Sequence, residues 1–415
     1  MAEDKIVVYD DDPTGIQTVH DTIAYTCFDY DTLKEAFESK YRVIFLSTNS
    51  RSMSSIETEN LHRKVTRDIF KASKETGKSF TLISRGDSTL RGHYPLETDI
   101  ISEVYKENGI DIDGEIICPF LDKIRKTEND IHYVKTEDGW LECGKSEFAK
   151  DPTFGYESSD LKDYVKEKYG CDKSFISVPA GLNKEEIQSL LEKAENGVKI
   201  IINALNEDDV RKVCEVLRSI NKTFIYRTAA TFVKEYAQIE DRDYLKTEDL
   251  LSDDKKGRLI VAGSYVRKTS RQLEDLKKHI DIEEIEYNPE SNTAYSYLIS
   301  SLINEGKDVL FYTSRKLRHY SDDPVEQLKR QRQMSLDFTG ILNRIEKPSL
   351  LISKGGITSY DVLTNGLMSK KVYVLGQVLN AVPVVRIMDG PFKDLKVIVF
   401  PGNVGDDDSL TEIMI

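Results

Sequence analysis

The strongest constraint on this chain is a rhythm. Short apolar runs rich in Val, Ile and Phe recur along it, separated by longer stretches of helical spacing. In the first half the runs are KIVVYD (5–10), RVIFLST (42–48), SFTLISR (79–85), EIICPF (115–120), VKIIINAL (198–205) and TFIYRT (223–228). Runs this short and this apolar read as strands buried on both faces. Between two of them, Leu61, Val65, Ile69 and Phe70 recur at helical spacing, which predicts a helix over Thr58–Glu75. Strand–helix alternation of this kind predicts an α/β fold with a mainly parallel sheet.

The second half repeats the rhythm with RLIVAGS (258–264), DVLFYTS (308–314), SLLISK (349–354), KVYVLG (371–376) and KVIVFPG (396–402). The highly charged stretch between the halves has no strand pattern and reads as a linker over 240–257. The expectation is two α/β domains, 1–239 and 258–415, with an interdomain active-site cleft. The polar stretch Glu137–Lys173, with the single Trp140, reads as an irregular excursion between elements.

Charge narrows the partners. The 415 residues hold 58 Lys+Arg against 72 Asp+Glu, a net charge of −14, which disfavours nucleic acid, because that binding rests on neutralising phosphates with Lys and Arg. No apolar run approaches a membrane span. Cys27, Cys118, Cys143, Cys171 and Cys214 form no CxxC, and the six histidines form no HxxxH. This usage predicts a reduced, cytoplasmic protein with no dedicated protein-ligated metal. Mg²⁺ held on phosphates needs no such signature.

In open α/β sheets ligands gather at the carboxyl ends of strands. Asp10-Asp11-Asp12-Pro13-Thr14-Gly15, Thr48-Asn49-Ser50-Arg51 and Arg85-Gly86-Asp87-Ser88-Thr89-Leu90-Arg91-Gly92 follow strands in the first half. Gly263-Ser264, Lys354-Gly355-Gly356-Ile357-Thr358 and Pro401-Gly402-Asn403-Val404-Gly405 follow strands in the second. The aspartates read either as helix caps or as metal, substrate or general-base carboxylates. Arg91 offers a fork for a carboxylate or phosphate, while Asp87 and the hydroxyls suit sugar hydroxyls. The paired glycines at the start of a helix suit a phosphate. Asp10-x-Asp12-x-Thr14 also matches the nucleophile pattern of haloacid-dehalogenase-type phosphatases. Ala72-x-x-x-x-Gly77-Lys78-Ser79 mimics a phosphate loop, but a helix precedes it and a strand follows, so it reads as a helix C-terminus.

Taken together, these blocks resemble the four-carbon acid sugar kinase family, ATP-dependent kinases of tetronates and 3-oxo-tetronates. Asp11-Asp12-Pro13-Thr14-Gly15 is similar to its DD-x-TG, Thr48–Arg51 to its TNSR and Asp87–Gly92 to its DSTLRG, while Cys118–Val134 is similar to its Pro-Phe…HYV segment. Gly263-Ser264 with Thr269–Gln272, Gly355–Thr358 and Gly402–Gly405 resemble its C-terminal blocks. The sequence departs from the family pattern at Leu121–Lys126, at Ile357, and at Phe400 and Pro401, where many members have Lys and a small residue.

The resemblance implies substrate on the N-terminal domain and ATP on the C-terminal one, with nucleotide contacts at Ser264, Gly355, Gly356, Ile357, Thr358 and Gly402. The expected reaction is phosphoryl transfer from Mg-ATP to a hydroxyl, the terminal one, of a small acid sugar such as threonate, erythronate or a 3-oxo-tetronate. Asp12, or Asp11 in its place, is the candidate base. Arg91 is the candidate carboxylate clamp, Asp87, Ser88 and Asn49 fix hydroxyls, and Arg51 suits either job. A Mg²⁺-dependent phosphatase using Asp10 and Asp12, and a non-catalytic sugar-acid sensor, are the alternatives. The oligomeric state, a homodimer included, stays open.

Overall fold

The computed structural model describes residues 4–252, 255–263, 266–291, 293–314, 324–402 and 404–415. The chain divides into two compact units, 1–15 with 27–240, and 16–26 with 241–415. In chain order the strands are β1 (Lys5–Asp10), β2 (Thr22–Tyr25), β3 (Val43–Ser47), β4 (Phe80–Arg85), β5 (Gly114–Cys118), β6 (Arg125–Glu128), β7 (Ile131–Thr136), β8 (Gly139–Glu142), β9 (Phe175–Val178), β10 (Val198–Ile202) and β11 (Phe224–Thr228). They continue with β12 (Leu259–Ala262), β13 (Glu283–Tyr287), β14 (Val309–Thr313), β15 (Leu351–Lys354), β16 (Lys371–Leu379), β17 (Val382–Ile387) and β18 (Lys396–Phe400). Every apolar run quoted above falls on one of these strands.

In the first unit the strand order is β3-β1-β4-β11-β5-β10-β9, all parallel. Every residue of β1, β3, β5 and β11 is buried, as covered faces require. The chain leaves β1 toward β3 on one side and returns to β4 on the other. This reversal of direction opens a crevice at the carboxyl ends of these strands. The predicted helix is Ser55–Thr76, entered through a Ser54–Glu57 capping box and closed by Gly77 at φ +67°. The phosphate-loop look-alike is therefore the end of this helix.

The stretch 137–173 differs from its expected irregularity. Its β8 joins β6 and β7, which precede the stretch, in a small antiparallel sheet, and helix Leu161–Tyr169 lies near its end. Val134, Cys143, Tyr156, Leu161, Tyr164 and Val165 share one apolar cluster with Leu90 and Tyr94. The apolar residues here are too sparse for a periodic signal, and their burial comes from contact with the loop after β4.

In the second unit the order is β13-β14-β12-β15-β18-β17-β16-β2. The first five strands are parallel, and β18, β17, β16 and β2 pair antiparallel in turn. Two differences from the expected domain limits follow. Ile16–Thr26 groups with this unit because Thr22–Tyr25 pairs with Lys371–Val374. The charged stretch read as a linker lies along this unit as well. Leu245 N–H donates to the Gln377 carbonyl (2.7 Å), Ser252 N–H to Ser349 (3.2 Å), and Leu250 is buried in the unit's core. Two leucines thus anchor a segment whose charge count suggests a free tether.

Leu161 is fully buried beneath the loop that follows β4. Leu161→Ala is expected to lower stability by about 3 kcal/mol, read as a reduced urea midpoint at unchanged slope.

Candidate functional site

In the first unit the carboxyl ends of β1, β3 and β4 bring Asp11, Asp12, Arg51, Asp87 and Arg91 together. Arg51 is the hub. Its Nη2 lies 2.6 Å from Asp12 Oδ2, its Nε 3.2 Å from Asp11 Oδ2 and its Nη1 3.7 Å from Asp87 Oδ2. Arg85, the last residue of β4, places Nη1 3.0 Å from Asp10 Oδ1 and 3.2 Å from Asp11 Oδ1. Arg91 Nε is 2.7 Å from Asp87 Oδ2. The Asp87 backbone N–H donates to Asp11 Oδ2 (3.0 Å), locking the first strand end to the third.

The three consecutive aspartates have different environments. Asp10 is fully buried, and burial, reinforced by Asp11 and Asp12, pushes its carboxyl up to about 8 against the pull of Arg85. Gly15 lies against it: a Cβ there would be 1.9 Å from Asp10 Oδ1. A nucleophile has to be reachable and ionised, so the burial of Asp10 and the upward push on its carboxyl both count against the phosphatase alternative. Asp11 is 2% exposed, and burial raises its pKa despite Arg51, Arg85 and Arg227. For Asp12 burial acts in the same direction but is outweighed by Arg51 and Thr14, so its pKa is lowered. Thr14 donates both its N–H (2.8 Å) and its hydroxyl (2.5 Å) to Asp12 Oδ1. The Asp12 side chain keeps 17% of its surface exposed. Burial also opposes the charge on Asp87, yet Arg91, Arg51 and the Thr89 hydroxyl hold it well below the ordinary carboxylate range.

Asn49 adopts the left-handed conformation (φ 52°) that opens the short turn Ser50–Ser52, and its Nδ2 donates to Ser52 Oγ (2.8 Å). Ser50 Oγ donates to Glu97 Oε1 (2.6 Å), and His93 Nε2 lies 3.1 and 3.0 Å from the carbonyls of Ser50 and Met53. These contacts fix the turn that presents Arg51.

The loop after β4 is held by its carbonyls. Ser88's accepts from His132 Nε2 (2.8 Å), Thr89's from Tyr156 OH (2.8 Å), Leu90's from Tyr164 OH (2.8 Å) and Arg91's from Arg227 Nη2 (3.1 Å). Four consecutive carbonyls are engaged by groups behind the loop, and the side chains of Asp87 and Arg91 face the Arg51 cluster. The Ser88 side chain is buried.

In the second unit, the order β14-β12-β15 likewise reverses direction at β12. Gly263 follows β12, and Gly355 (φ +110°) leads from β15 into helix Gly356–Asp361. A Cβ on Gly263 would meet Thr358 Oγ1 at 2.7 Å, so the two loops touch and tolerate no side chain there. First-turn N–H groups of a helix lack intrahelical acceptors, which fits a phosphate. Ile357 is exposed and Thr358 buried. Gly402 follows β18, and its carbonyl accepts from Thr269 Oγ1 (3.1 Å). Ser264 and Asn403 lie outside the described residues. Lys354 is fully buried opposite Phe400 on the neighbouring strand, 3.6 Å from its ring centroid, and donates to the Pro401 carbonyl (2.6 Å). Burial, with Lys268 nearby, lowers its pKa to about 6. Among the described residues no group of three or more His, Cys, Asp or Glu side chains is arranged to hold a metal ion.

Comparison with protein families gives two matches. A sugar-binding N-terminal domain matches residues 6–236, and a nucleotide-binding C-terminal domain matches 259–410. The chain belongs to the four-carbon acid sugar kinase family. Comparison with curated proteins finds no match. Among solved structures, the chain is similar to a putative tRNA synthase from Salmonella typhimurium LT2 (TM-score 0.70, 15% identity, 99% of this chain and 98% of that one). It is also similar to a Haemophilus influenzae protein of DUF1537 (TM-score 0.65, 15% identity, 99% of both chains). At this identity both likenesses show the fold, two α/β domains with mostly parallel sheets.

Within this four-carbon acid sugar kinase family member, the site holds residues that the motif reading passed over. Arg85, which opens the Asp87–Arg91 segment, had no role assigned from sequence, and Arg227 stands inside an apolar strand run, where a guanidinium is itself a signal. His132 stood in the HYV segment without a role assigned to it, and Tyr156 and Tyr164 gave no local signal, because all three reach a loop 44 to 74 positions away.

His132 supplies a pH test. Because a carbonyl accepts from Nε2, the ring's proton is there, and Nδ1 accepts from Thr127 Oγ1 (3.0 Å). Burial lowers its pKa from 6.5 to about 4. The unfolded chain therefore binds the extra proton between these values, so stability falls as pH drops from 6.5 toward 4. Relative to His132→Asn, the wild type is expected to lose about 3 kcal/mol over that interval, measured by denaturant melts at stepped pH.

Proposed function

We propose that this chain is an ATP-dependent kinase that phosphorylates a hydroxyl, the terminal 4-OH, of a four-carbon acid sugar. The observation that carries the reading is the Arg51 hub in the sugar-binding domain, which holds one partly exposed, ionised carboxylate, Asp12, beside the Asp87–Arg91 pair. Phosphoryl transfer asks a protein mainly for positioning, charge neutralisation and a group that accepts the acceptor hydroxyl's proton. Asp12 suits the last task, since its lowered pKa keeps it charged and able to accept a hydrogen bond. Asp11 is nearly inaccessible and is better suited to holding Arg51, Arg85 and the Asp87 N–H in register. Arg91 and Asp87 would bind the carboxylate end and a hydroxyl of the substrate, with Asn49 and Ser88 shaping the walls.

Gly355, Gly356, Ile357 and Thr358, with Gly263 and Gly402 beside them, are the residues that would receive nucleotide phosphates. Bound ATP supplies the transferred phosphoryl group, and Mg²⁺ on its phosphates neutralises charge there. Lys354, neutral at pH above about 6, ties the ends of β15 and β18 beneath the glycines.

Coupled ADP release with Mg-ATP against a panel of tetronates and 3-oxo-tetronates tests the reading. ADP formation with one or two acids is the expected result, and none with any acid rejects it. Asp12→Asn is expected to lower kcat by at least about 100-fold while the KM for ATP changes less than about threefold. If Asp12 is the accepting group, the acid limb of kcat lies below the ordinary carboxylate range, whereas a limb above that range assigns the role to Asp11.

A further inference from the structure

Arg125, at the start of β6, is 9% exposed and lies among Asp87, Arg91, Cys143 and Tyr156. Its only side-chain hydrogen bond among the described residues runs from Nη1 to the Ile124 carbonyl (2.6 Å). Nε is buried without a partner, and no described carboxylate lies within 4.0 Å of the guanidinium. Arg51, Arg85 and Arg91 all have such a carboxylate. Arg227 also lacks one, but its Nη2 is spent on the Arg91 carbonyl and its Nη1 fills the space beside Gly86, where a Cβ would come within 1.5 Å. Arg125 has no comparable job as a strut.

An unpaired buried guanidinium is costly, because the lost hydration is not repaid by an anion. Burial pulls its pKa down, the sign of an uncompensated charge. The Arg91 and Arg125 guanidinium carbons lie 5.1 and 5.5 Å from the centroid of one ring, Phe148. Two cations there have Asp87 as their nearest shared carboxylate, and Asp87 is already engaged by Arg51. The backbone of Arg125 is rigid. It pairs with Leu121 through Arg125 N–H to the Leu121 carbonyl (2.8 Å) and stands opposite Val134 on β7. Two residues from Val134, His132 bonds to Ser88 and so fixes this hairpin to the Asp87–Arg91 loop.

We propose that Arg125 joins Arg91 at the substrate's carboxylate through its unspent Nε/Nη2 edge, and that this second guanidinium is what selects an acid over a neutral four-carbon polyol. A planar carboxylate matches that edge bidentately. The inference rests on the acid-sugar reading above.

The test uses Arg125→Met, which keeps the apolar volume, and Arg125→Lys, which keeps the charge without the fork. Circular dichroism melts of the ligand-free proteins come first. Removing an unpaired buried charge is expected to leave the melting temperature of Arg125→Met equal to or above that of the wild type. With the tetronate that the wild type phosphorylates, Arg125→Met is expected to raise KM about 30-fold or more, and Arg125→Lys by less. The KM for ATP should stay unchanged and the preference for acid over the matching polyol should collapse. An unchanged tetronate KM in a folded Arg125→Met overturns the assignment while leaving the kinase reading intact. If the wild type releases no ADP, the kinase reading fails by itself. Tetronate-induced thermal stabilisation then decides the Arg125 assignment: stabilisation present in the wild type and lost in Arg125→Met supports it. Stabilisation equal in both, or absent from the wild type, overturns it.

Discussion

Three successive carboxylates at the end of a buried strand cannot leave water unaided, and the first unit is organised around neutralising them. β1 carries Asp10 wholly into the interior, where Arg85 from the adjacent β4 meets it, and Asp10 and Asp11 share that guanidinium. Arg51, delivered by the turn after β3, then spans Asp11, Asp12 and Asp87. Only the parallel order β3-β1-β4 puts these strand ends side by side. The charges and the topology therefore depend on each other. Without the arginines β1 would bury charge at great cost, and without the strand order the arginines would have no carboxylates to meet.

The same interactions grade the aspartates. Depth in the crevice decides whether burial or the arginines prevail: burial dominates at Asp10 and Asp11, and Arg51 with Thr14 dominates at Asp12. One run of identical residues thus yields a fully buried structural carboxyl with a raised pKa, an organising carboxylate and an ionised, partly exposed one. Neighbouring carboxyls pushed apart in pKa in this way are a common mark of functional sites.

Behind the loop after β4, the small sheet β6–β8 and helix Leu161–Tyr169 hold its carbonyls with His132, Tyr156 and Tyr164. Backbone carbonyls at a crevice would otherwise compete with ligand for the donors of Arg51 and Arg91. Engaging them from the rear leaves those donors to carboxylates and gives the loop a fixed shape with no regular secondary structure. The stretch 137–173 looked irregular in sequence because its order comes from what it grips. Its aromatic residues Phe148, Tyr156, Tyr164 and Tyr169 pack in one cluster with Leu90 and Tyr94 and show no period.

Much was legible without coordinates. Short Val/Ile runs specify strands buried on both faces, because only covered parallel sheets accommodate them, and the polar glycine-bearing segments after them marked the crevice. Asp11, Asp12, Arg51, Asp87 and Arg91 could be picked out because each stands directly after a strand. Sequence left three things undecided: which aspartate stays ionised, that Arg125 is buried without an anion, and that Thr22–Tyr25 pairs with Lys371–Val374. Each of these depends on distances between residues far apart in the chain. Local pattern governs which segments can be buried, while tertiary packing sets the solvation and charge around each group, and hence its chemistry.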